Sequence, residues 1–335
     1  MTDQRSLLVL APNWLGDAVM ALPAIADLKR HFADRSLIVA ARSSVSSLFT
    51  MVPGVVQVVS PDMRAIRAAH SSVAVLFPNS FASAWLVRRA GVPERWGYAT
   101  DMRSWMLTRA VRRSKARMHQ GAYYQHLVGE LGIAVGPLEP LVQIPAQAIE
   151  DGRRLLAQHG WNGSTPLITL APGAAYGKAK QWIPAHVVSL VSGLVLERDV
   201  ACALVGSRGD AATTRAIRDG VPRERRSRVL DLAGATTLPV LAAILSLSAA
   251  CVSNDSGAMH LAAAVGVPVV GVFGPTNEQA TSPLPRAGVA TELLTHPVWC
   301  RPCMLRECPI NHRCMTHIEP ARVRDAVNRI ARVPV

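Results

Sequence analysis

In the stretch Ser253-Asn254-Asp255-Ser256-Gly257-Ala258-Met259-His260, a carboxylate, two hydroxyls and an imidazole share one short turn. The apolar run 249–252 leads into it and the helix-like run 261–265 leads out, so the polar groups sit where a strand hands over to a helix. There Asp255 and Ser256 meet unpaired helix amides, Gly257 permits close approach of a ligand to the backbone, and the amides favour a phosphate. The end-group of a nucleotide suits such a turn. Ser, Asn and Asp are also ordinary helix caps, and His260 reads as well as a core histidine beneath the helix. A second turn of the same kind follows the expected strand 7–11. It runs Pro12-Asn13-Trp14-Leu15-Gly16-Asp17 and enters an amphipathic helix expected over 18–32. At that helix start the macrodipole favours Asp17 as a carboxylate, which suits a proton acceptor, and Gly16 leaves the group reachable. The alternative is a plain N-terminal helix acid.

A third cluster is made of thiols. Cys300-x2-Cys303-x4-Cys308-x5-Cys314 puts four of the six cysteines within 15 residues, with His296, His312 and His317 nearby. Disulfides are disfavoured in a cytosolic protein, so the spacing suggests a structural zinc held by four thiolates, or by three and a histidine. Free thiols, an iron–sulfur cluster and redox chemistry stay open. Such a cluster fixes a loop before the last helix and has no part in the chemistry of the two turns.

The elements that must position these groups follow from the apolar pattern. At 335 residues the chain has room for two domains with full cores. Half of its residues are hydrophobic and few are aromatic, as expected where strands are covered by helices on both faces. Strands are expected at 7–11, 37–41, 55–59 and 73–76, and again at 167–171, 201–205, 229–232, 250–253 and 269–273. Helices fall between them, such as 184–197 and 238–246, and a last one covers 320–333. A polar, irregular region spans 95–120. The pattern predicts an α/β protein with two doubly wound, Rossmann-like parallel sheets, a junction near 136–149, and domains at 1–145 and 146–335.

Ligands bind such sheets at the carboxyl ends of strands, and the polar motifs fall there in both halves. They are 13–17 and Pro78-Asn79-Ser80-Phe81 in the first, and 172–182, Gly206-Ser207, 254–260 and Gly274-Pro275-Thr276 in the second. Two facing halves imply a cleft. No G-x-G-x-x-G follows the first strand, which argues against an NAD dehydrogenase. The apolar runs fall short of the roughly 18–20 residues that span a bilayer, and residues 1–10 lack the pattern of a secretory signal, so a cytosolic protein is expected. The net charge of +13 invites an acidic partner. Basic residues are scattered between Arg88 and Arg117 without the interleaved aromatics of a nucleic-acid binder. The densest run, Arg109 to Arg117, is either a solvated loop or a cationic face for anionic lipid headgroups or a phosphorylated glycolipid.

Taken together, 13–17, 78–81, Pro172-Gly173-Ala174-Ala175-Tyr176-Gly177-Lys178-Ala179-Lys180-Gln181-Trp182 and 254–260 resemble the ADP-heptose lipopolysaccharide heptosyltransferases, glycosyltransferase family 9, over nearly the whole chain. Pro-Asn-Ser-Phe and Pro-Gly-Ala-x-Tyr/Phe-Gly-x-x-Lys-x-Trp are most similar to its heptosyltransferase II branch. The resemblance implies a GT-B fold, with an N-terminal acceptor domain facing a C-terminal ADP-sugar domain across a cleft. It implies inverting transfer of heptose from ADP-L-glycero-β-D-manno-heptose to the heptose-Kdo inner core of lipopolysaccharide, with no cofactor for the chemistry. Asp17 matches the family's catalytic base, as an inverting attack by an acceptor hydroxyl needs. Lys180 matches its diphosphate-contacting lysine, with Gly173 in the same motif. The amides of Ser256 and Gly257 take the diphosphate, His260 stands one turn in, and Asp255 is open to heptose hydroxyls. Asp210 falls where the family places an acidic residue near the ribose, with Asp for Glu shortening the reach. Asn13, Asn79, Ser80, Arg95 and Arg103 match acceptor positions, and His119 and Tyr123 lie just beyond. The implied partners are the ADP-heptose donor and a lipid A-linked acceptor met peripherally at the cytoplasmic face of the inner membrane, with no nucleic acid. The alternatives are a relative using another nucleotide sugar, a heptosyltransferase I, and a non-catalytic nucleotide-sugar-binding protein.

Overall fold

The computed structural model describes residues 6–332 and divides into two units, Met1–Gln143 and Ile144–Val335. In the first, β1 (Ser6–Leu10), α1 (Leu15–Met20), α2 (Leu22–His31), β2 (Ser36–Ala40), α3 (Ser43–Phe49) and β3 (Val55–Val59) are followed by α4 (Met63–Ala68), β4 (Val73–Leu76), α5 (Phe81–Arg89), β5 (Glu94–Tyr98), β6 (Arg109–Val111) and α6 (Gln120–Glu130). The second begins with α7 (Ala146–Gln158), β7 (Leu167–Ala171), α8 (Pro184–Glu197), β8 (Ala201–Leu204), α9 (Ala211–Gly220), β9 (Val229–Asp231) and α10 (Leu238–Ser246). It continues through β10 (Ala250–Asn254), α11 (Gly257–Ala264), β11 (Val269–Phe273), α12 (Glu278–Thr281), β12 (Thr291–Thr295), α13 (Arg313–Thr316) and α14 (Pro320–Ile330).

Each unit holds one six-stranded sheet, ordered β3-β2-β1-β4-β5-β6 and β12-β11-β10-β7-β8-β9, with parallel neighbours throughout. Counted within its own unit, the second order is the first read backwards. In both, the chain starts at the centre, winds outward for three strands and crosses back to wind the other way. The reversals fall between β1 and β4, where Leu10 pairs with Leu76, and between β7 and β10, where Ala171 pairs with Ser253. Loops leave the sheet in opposite directions at such a switch point, which opens a crevice at the carboxyl ends.

The strands are apolar on both faces because helices cover both. Leu7, Leu8, Val9 and Leu10 are all buried. Leu8, Leu10 and Leu76 pack with Ala84 and Val87 of α5, while Ile168 and Leu170 pack with Val191 and Leu194 of α8. Helices α8 and α14 open on Pro184 and Pro320, where a missing amide costs no helix bond.

The structure departs from the sequence expectation in three places. The single helix over 18–32 is two, α1 and α2, because Pro23 lies in the first turn of the second and the chain restarts at Ala21. The irregular region 95–120 contains β6 and, from residue 94, most of β5, whose Glu94, Arg95 and Arg109 interrupt any apolar run. The edge strand β12 has only one buried residue, Leu294, and carries no apolar signal. The last helix ends at Ile330, and its expected end at Val333 lies outside the described residues.

Candidate active site

In the first unit, the chain leaves β1, turns at the exposed Asn13, and enters α1 through Trp14 in extended conformation. Asp17 sits in the first turn of this helix, half-buried. Its carboxylate accepts a hydrogen bond from the Tyr124 hydroxyl on α6. Tyr124 is 5% exposed, and burial, reinforced by the charge of Asp17, holds its phenol well above the ordinary range, so it stays a neutral donor. The loop after β4 is tied to the same helix. Asn79 Nδ2 donates to the Tyr123 hydroxyl at 2.9 Å, and Asn79 O accepts from Thr100 Oγ1 at 3.0 Å. Ser80 caps α5, its Oγ accepting from the Ser83 amide at 3.3 Å, and His119 caps α6 through Nδ1 and the Gly121 amide.

The two arginines expected at the acceptor behave differently from that expectation. Arg103 is fully buried and donates to the carbonyls of Tyr98, Pro78 and Ser80 and to Ser83 Oγ, while burial pulls its guanidinium down to about 10. It ties the end of β5 to the 78–80 loop and has no open face for a ligand. Arg95 Nε donates to Met106 O, and its Nη1 to Val92 O and Pro93 O, which draws it towards the amino end of β5, away from Asn79. Arg95 Nε and Nη1 and Arg103 Nε and Nη1 are thus committed within the protein, while Arg103 Nη2 is buried without a hydrogen-bond partner.

In the second unit the expected donor residues converge. Lys180 lies in a short 3-10 turn after β7, with Nζ 2.7 Å from Asp255 Oδ2 and 4.9 Å from the centre of the Tyr176 ring. Asp255 is 5% exposed and its other oxygen is 4.0 Å from His260 Nε2. The Ser256 Oγ pairs with Ser253 Oγ at 2.9 Å and caps no amide of α11, so the helix opens without a side-chain cap. Asn254, also buried, joins the two strands that flank the switch point. Its Nδ2 donates to Pro172 O and Gly173 O, and its Oδ1 accepts from the Trp182 amide. At Gly173 any Cβ would collide with the Asp210 carboxylate, which itself accepts from Ser207 N at 2.8 Å and Ser207 Oγ at 2.7 Å. Gly173 and Asp210 therefore share the carboxyl ends of β7 and β8.

This arrangement has known counterparts. Residues 62–313 match glycosyltransferase family 9 (heptosyltransferase). The chain belongs to that family. It is 29% identical over 301 residues to the lipooligosaccharide heptosyltransferase 2 of Haemophilus influenzae, covering 83% of this chain and 86% of that one. To the lipopolysaccharide heptosyltransferase 2 of Escherichia coli K12 it is 27% identical over 344 residues, covering 97% and 98%. The solved structure of the E. coli ADP-heptose lipopolysaccharide heptosyltransferase II superposes with a TM-score of 0.83 at 25% identity, over 97% of this chain and 98% of that one. The two doubly wound sheets are thus those of a GT-B glycosyltransferase.

In this family 9 glycosyltransferase the cysteine-rich segment frames the loop that carries Lys180. Arg306 O accepts from the Ala179 amide at 2.9 Å, Met304 O accepts from the Tyr176 hydroxyl, and His312 Nε2 meets Ala179 O at 2.7 Å. Gly177 passes so close to Arg306 O that no side chain fits. Cys300, Cys303, Cys308 and Cys314 line one cavity of about 470 Å³ with His296, His312 and His317, all four as free thiols. The expected structural zinc is not supported. Among the described residues no three His, Cys, Asp or Glu gather as a metal-holding group. Burial, then the neighbouring cysteines, pushes the Cys314 thiol up to about 11, and the His317 ring is turned to His296 at 3.2 Å. The segment is held instead by its bonds to the loop that carries Lys180 and by Arg301, which donates to Gly274 O, Thr276 O and Glu278.

Sequence reasoning missed Tyr124, Thr100 and Arg306. Tyr124 stood beside the noted Tyr123 on a helix, but only tertiary packing shows which of the two reaches Asp17.

Proposed function

We propose that the protein is an inverting heptosyltransferase, taking heptose from ADP-L-glycero-β-D-manno-heptose to a hydroxyl of the heptose-Kdo inner core of lipopolysaccharide. The observation that carries this is the donor cradle at the β7/β10 switch point: the Lys180–Asp255 pair beside the open N-terminus of α11. Family membership and the names of the relatives support heptose as the sugar. Asp17 takes the proton of the acceptor hydroxyl as that oxygen attacks the anomeric carbon. The bond from that carbon to the ADP oxygen breaks on the opposite face, and the product is inverted. Negative charge grows on the departing ADP, where Lys180 and the amides of Ser256 and Gly257 receive it. Asp255 orients Lys180 and is backed by His260, and Asp210 with Gly173 borders the ribose side. Asn13, Asn79 and Ser80 are the acceptor contacts. Arg95 and Arg103 act through the loops they hold. The acceptor is lipid-linked and no described helix is long and apolar enough to cross a membrane, so work at the cytoplasmic face of the inner membrane is peripheral.

The test is a transfer assay read by mass, with ADP-heptose and Kdo-lipid A acceptors with and without the first heptose. One added heptose on the heptose-bearing acceptor alone is expected. Transfer to the heptose-free acceptor alone would make the enzyme a heptosyltransferase I, and no transfer to either with ADP still bound would overturn the proposal.

A further inference from the structure

One face of the first unit is built unlike the rest of its surface and takes no part in the chemistry above. On α5, Phe81 and Trp85 stand one turn apart, stacked with ring centres 6.3 Å apart, and remain 40% and 42% exposed. Beside them Met102 is 87% exposed and Trp105 60%. The four belong to one patch. The Arg88 guanidinium lies 4.4 Å over the Trp105 ring, Arg89 lies 5.6 Å over Trp85, and the Phe81 amide donates to Asp101, next to Met102. The opposite face of α5, through Ser83, Ala84 and Val87, is buried, so the aromatic stripe is turned outward by the packing of the helix itself.

Charge accompanies the stripe. Residues 81–117 contain nine Lys and Arg against two Asp and Glu, which accounts for all the positive excess of residues 1–143, where the numbers are sixteen and nine. Seven of the nine are exposed: Arg88 and Arg89 stand in the patch itself, while of the five between Arg109 and Arg117, Arg109 lies over Trp96 and Arg113 over Tyr123. Such a combination has a physical fit. Tryptophan and methionine enter the region between headgroups and acyl chains, and flanking cations meet anionic headgroups. A second copy of the same face would bring like charge against like charge.

We propose that this face, centred on Trp85, Met102 and Trp105 with Arg88 and Arg89 at its rim, docks the enzyme onto an anionic lipid surface. Its biological sense rests on the lipid-linked acceptor proposed above. The physical claim does not, because binding is read without donor or acceptor.

The experiment is co-sedimentation of the full chain with phosphatidylcholine vesicles, with and without phosphatidylglycerol. The wild type is expected to pellet with the anionic vesicles only, and to be released by salt. A triple variant, Trp85→Ser, Met102→Ser and Trp105→Ser, should bind at least about tenfold more weakly, since apolar insertion adds to charge attraction. The pair Arg88→Glu and Arg89→Glu should do the same, and both should keep the wild-type rate on a delipidated, water-soluble acceptor. Should the triple variant misfold, Met102→Ser alone, at the most exposed position, should still weaken binding. Equal binding to neutral vesicles, or unchanged binding in folded variants, would overturn the proposal. So would self-association through this face, or retention of a DNA duplex, without vesicle binding. Loss of heptose transfer with vesicle binding intact would refute the proposed function and leave the docking face standing.

Discussion

Asp17 and Asp255 both stand in turns that leave central strands at a switch point, and the fold answers them in opposite ways. Asp17, after β1, is half-buried and meets a neutral hydroxyl, that of Tyr124. Asp255, after β10, is 5% exposed and meets a cation, Lys180, at 2.7 Å. A carboxylate beside a neutral donor keeps its charge available to a proton, and partial exposure lets a substrate hydroxyl reach it. A buried carboxylate beside an ammonium is balanced already, and its use is to fix where that ammonium points. One topology, repeated, therefore holds an accessible carboxylate in one unit and a balanced ion pair in the other, which is what the proposed roles of base and anion cradle rest on, and the distinction lies in what each turn packs against.

The two carboxylates should respond differently to the same substitution. Asp17→Asn removes the proton acceptor and should lower kcat by about 10²–10⁴-fold, the usual contribution of a general base, while ADP-heptose affinity stays near wild type. Asp255→Asn should mainly raise KM for the donor. Steady-state kinetics with calorimetric binding of ADP separates the two, and full activity in Asp17→Asn would end its assignment as base. Next in size is Lys180→Ala, which strands Asp255 in the interior. Breaking a buried pair on one side costs about 3–5 kcal/mol, so the melting temperature should fall together with kcat/KM for the donor. Combining it with Asp255→Asn should restore much of the stability and none of the donor turnover. If stability and donor kinetics recover together, Lys180 only holds the loop.

How much of this was visible in the sequence depends on where the signal is stored. The switch-point turns announced themselves because an apolar strand and an apolar helix flank each polar run, as at 249–265. Two doubly wound sheets followed from the same alternation. Edge strands did not, since β5, β6 and β12 mix charged residues into short runs that only their neighbours' pairing completes. Lys180 and Asp255 were each named, but their contact spans 75 residues and rests on Asn254 bridging β7 to β10. The surroundings of Arg95 and Arg103 were not legible, for a physical reason. A buried arginine satisfying four oxygens is indistinguishable in sequence from an exposed one waiting for a phosphate. The thiol spacing is ambiguous in the same way, because it fixes chain distance and leaves side-chain direction open.

A smaller change sharpens the account of Asp17. Tyr124→Phe removes one hydrogen bond from the carboxylate and keeps the ring, a loss of about 0.5–1.5 kcal/mol that corresponds to roughly 2–10-fold in rate. Because the hydroxyl favours the charged form, its removal should move the acid limb of the kcat profile to higher pH, which a merely structural tyrosine would leave in place. The same phenol has an effect at the alkaline end. Its folded value is raised well above the 10.0 of a free tyrosine, so its contribution to stability is complete below pH 10 and lost as pH rises beyond it. Tyr124→Phe should therefore blunt alkaline unfolding, followed by circular dichroism.

The least perturbing test uses the thiols of the second unit, where burial divides six cysteines into two groups. Cys202 and Cys251 are buried, which pushes both thiols up to about 12, and Cys314 is buried with its thiol at about 11. Cys300, Cys303 and Cys308 are only half-buried. A thiol reagent must reach the sulfur, so the three half-buried cysteines should react fast in the native enzyme and the three buried ones only as it unfolds. Raising the pH should not open the slow group until the fold itself gives way. For Cys202 and Cys251 the stability contribution is complete below the ordinary thiol value of 9.0 and declines as pH rises towards 12. A bound metal predicts a different pattern: Cys300, Cys303, Cys308 and Cys314 would be silent together and released together by a chelator. Three fast thiols without chelator would instead place the hold on this segment where the structure has it, in the contacts of Arg306 and His312 with the loop that carries Lys180 and of Arg301 with the loop after β11.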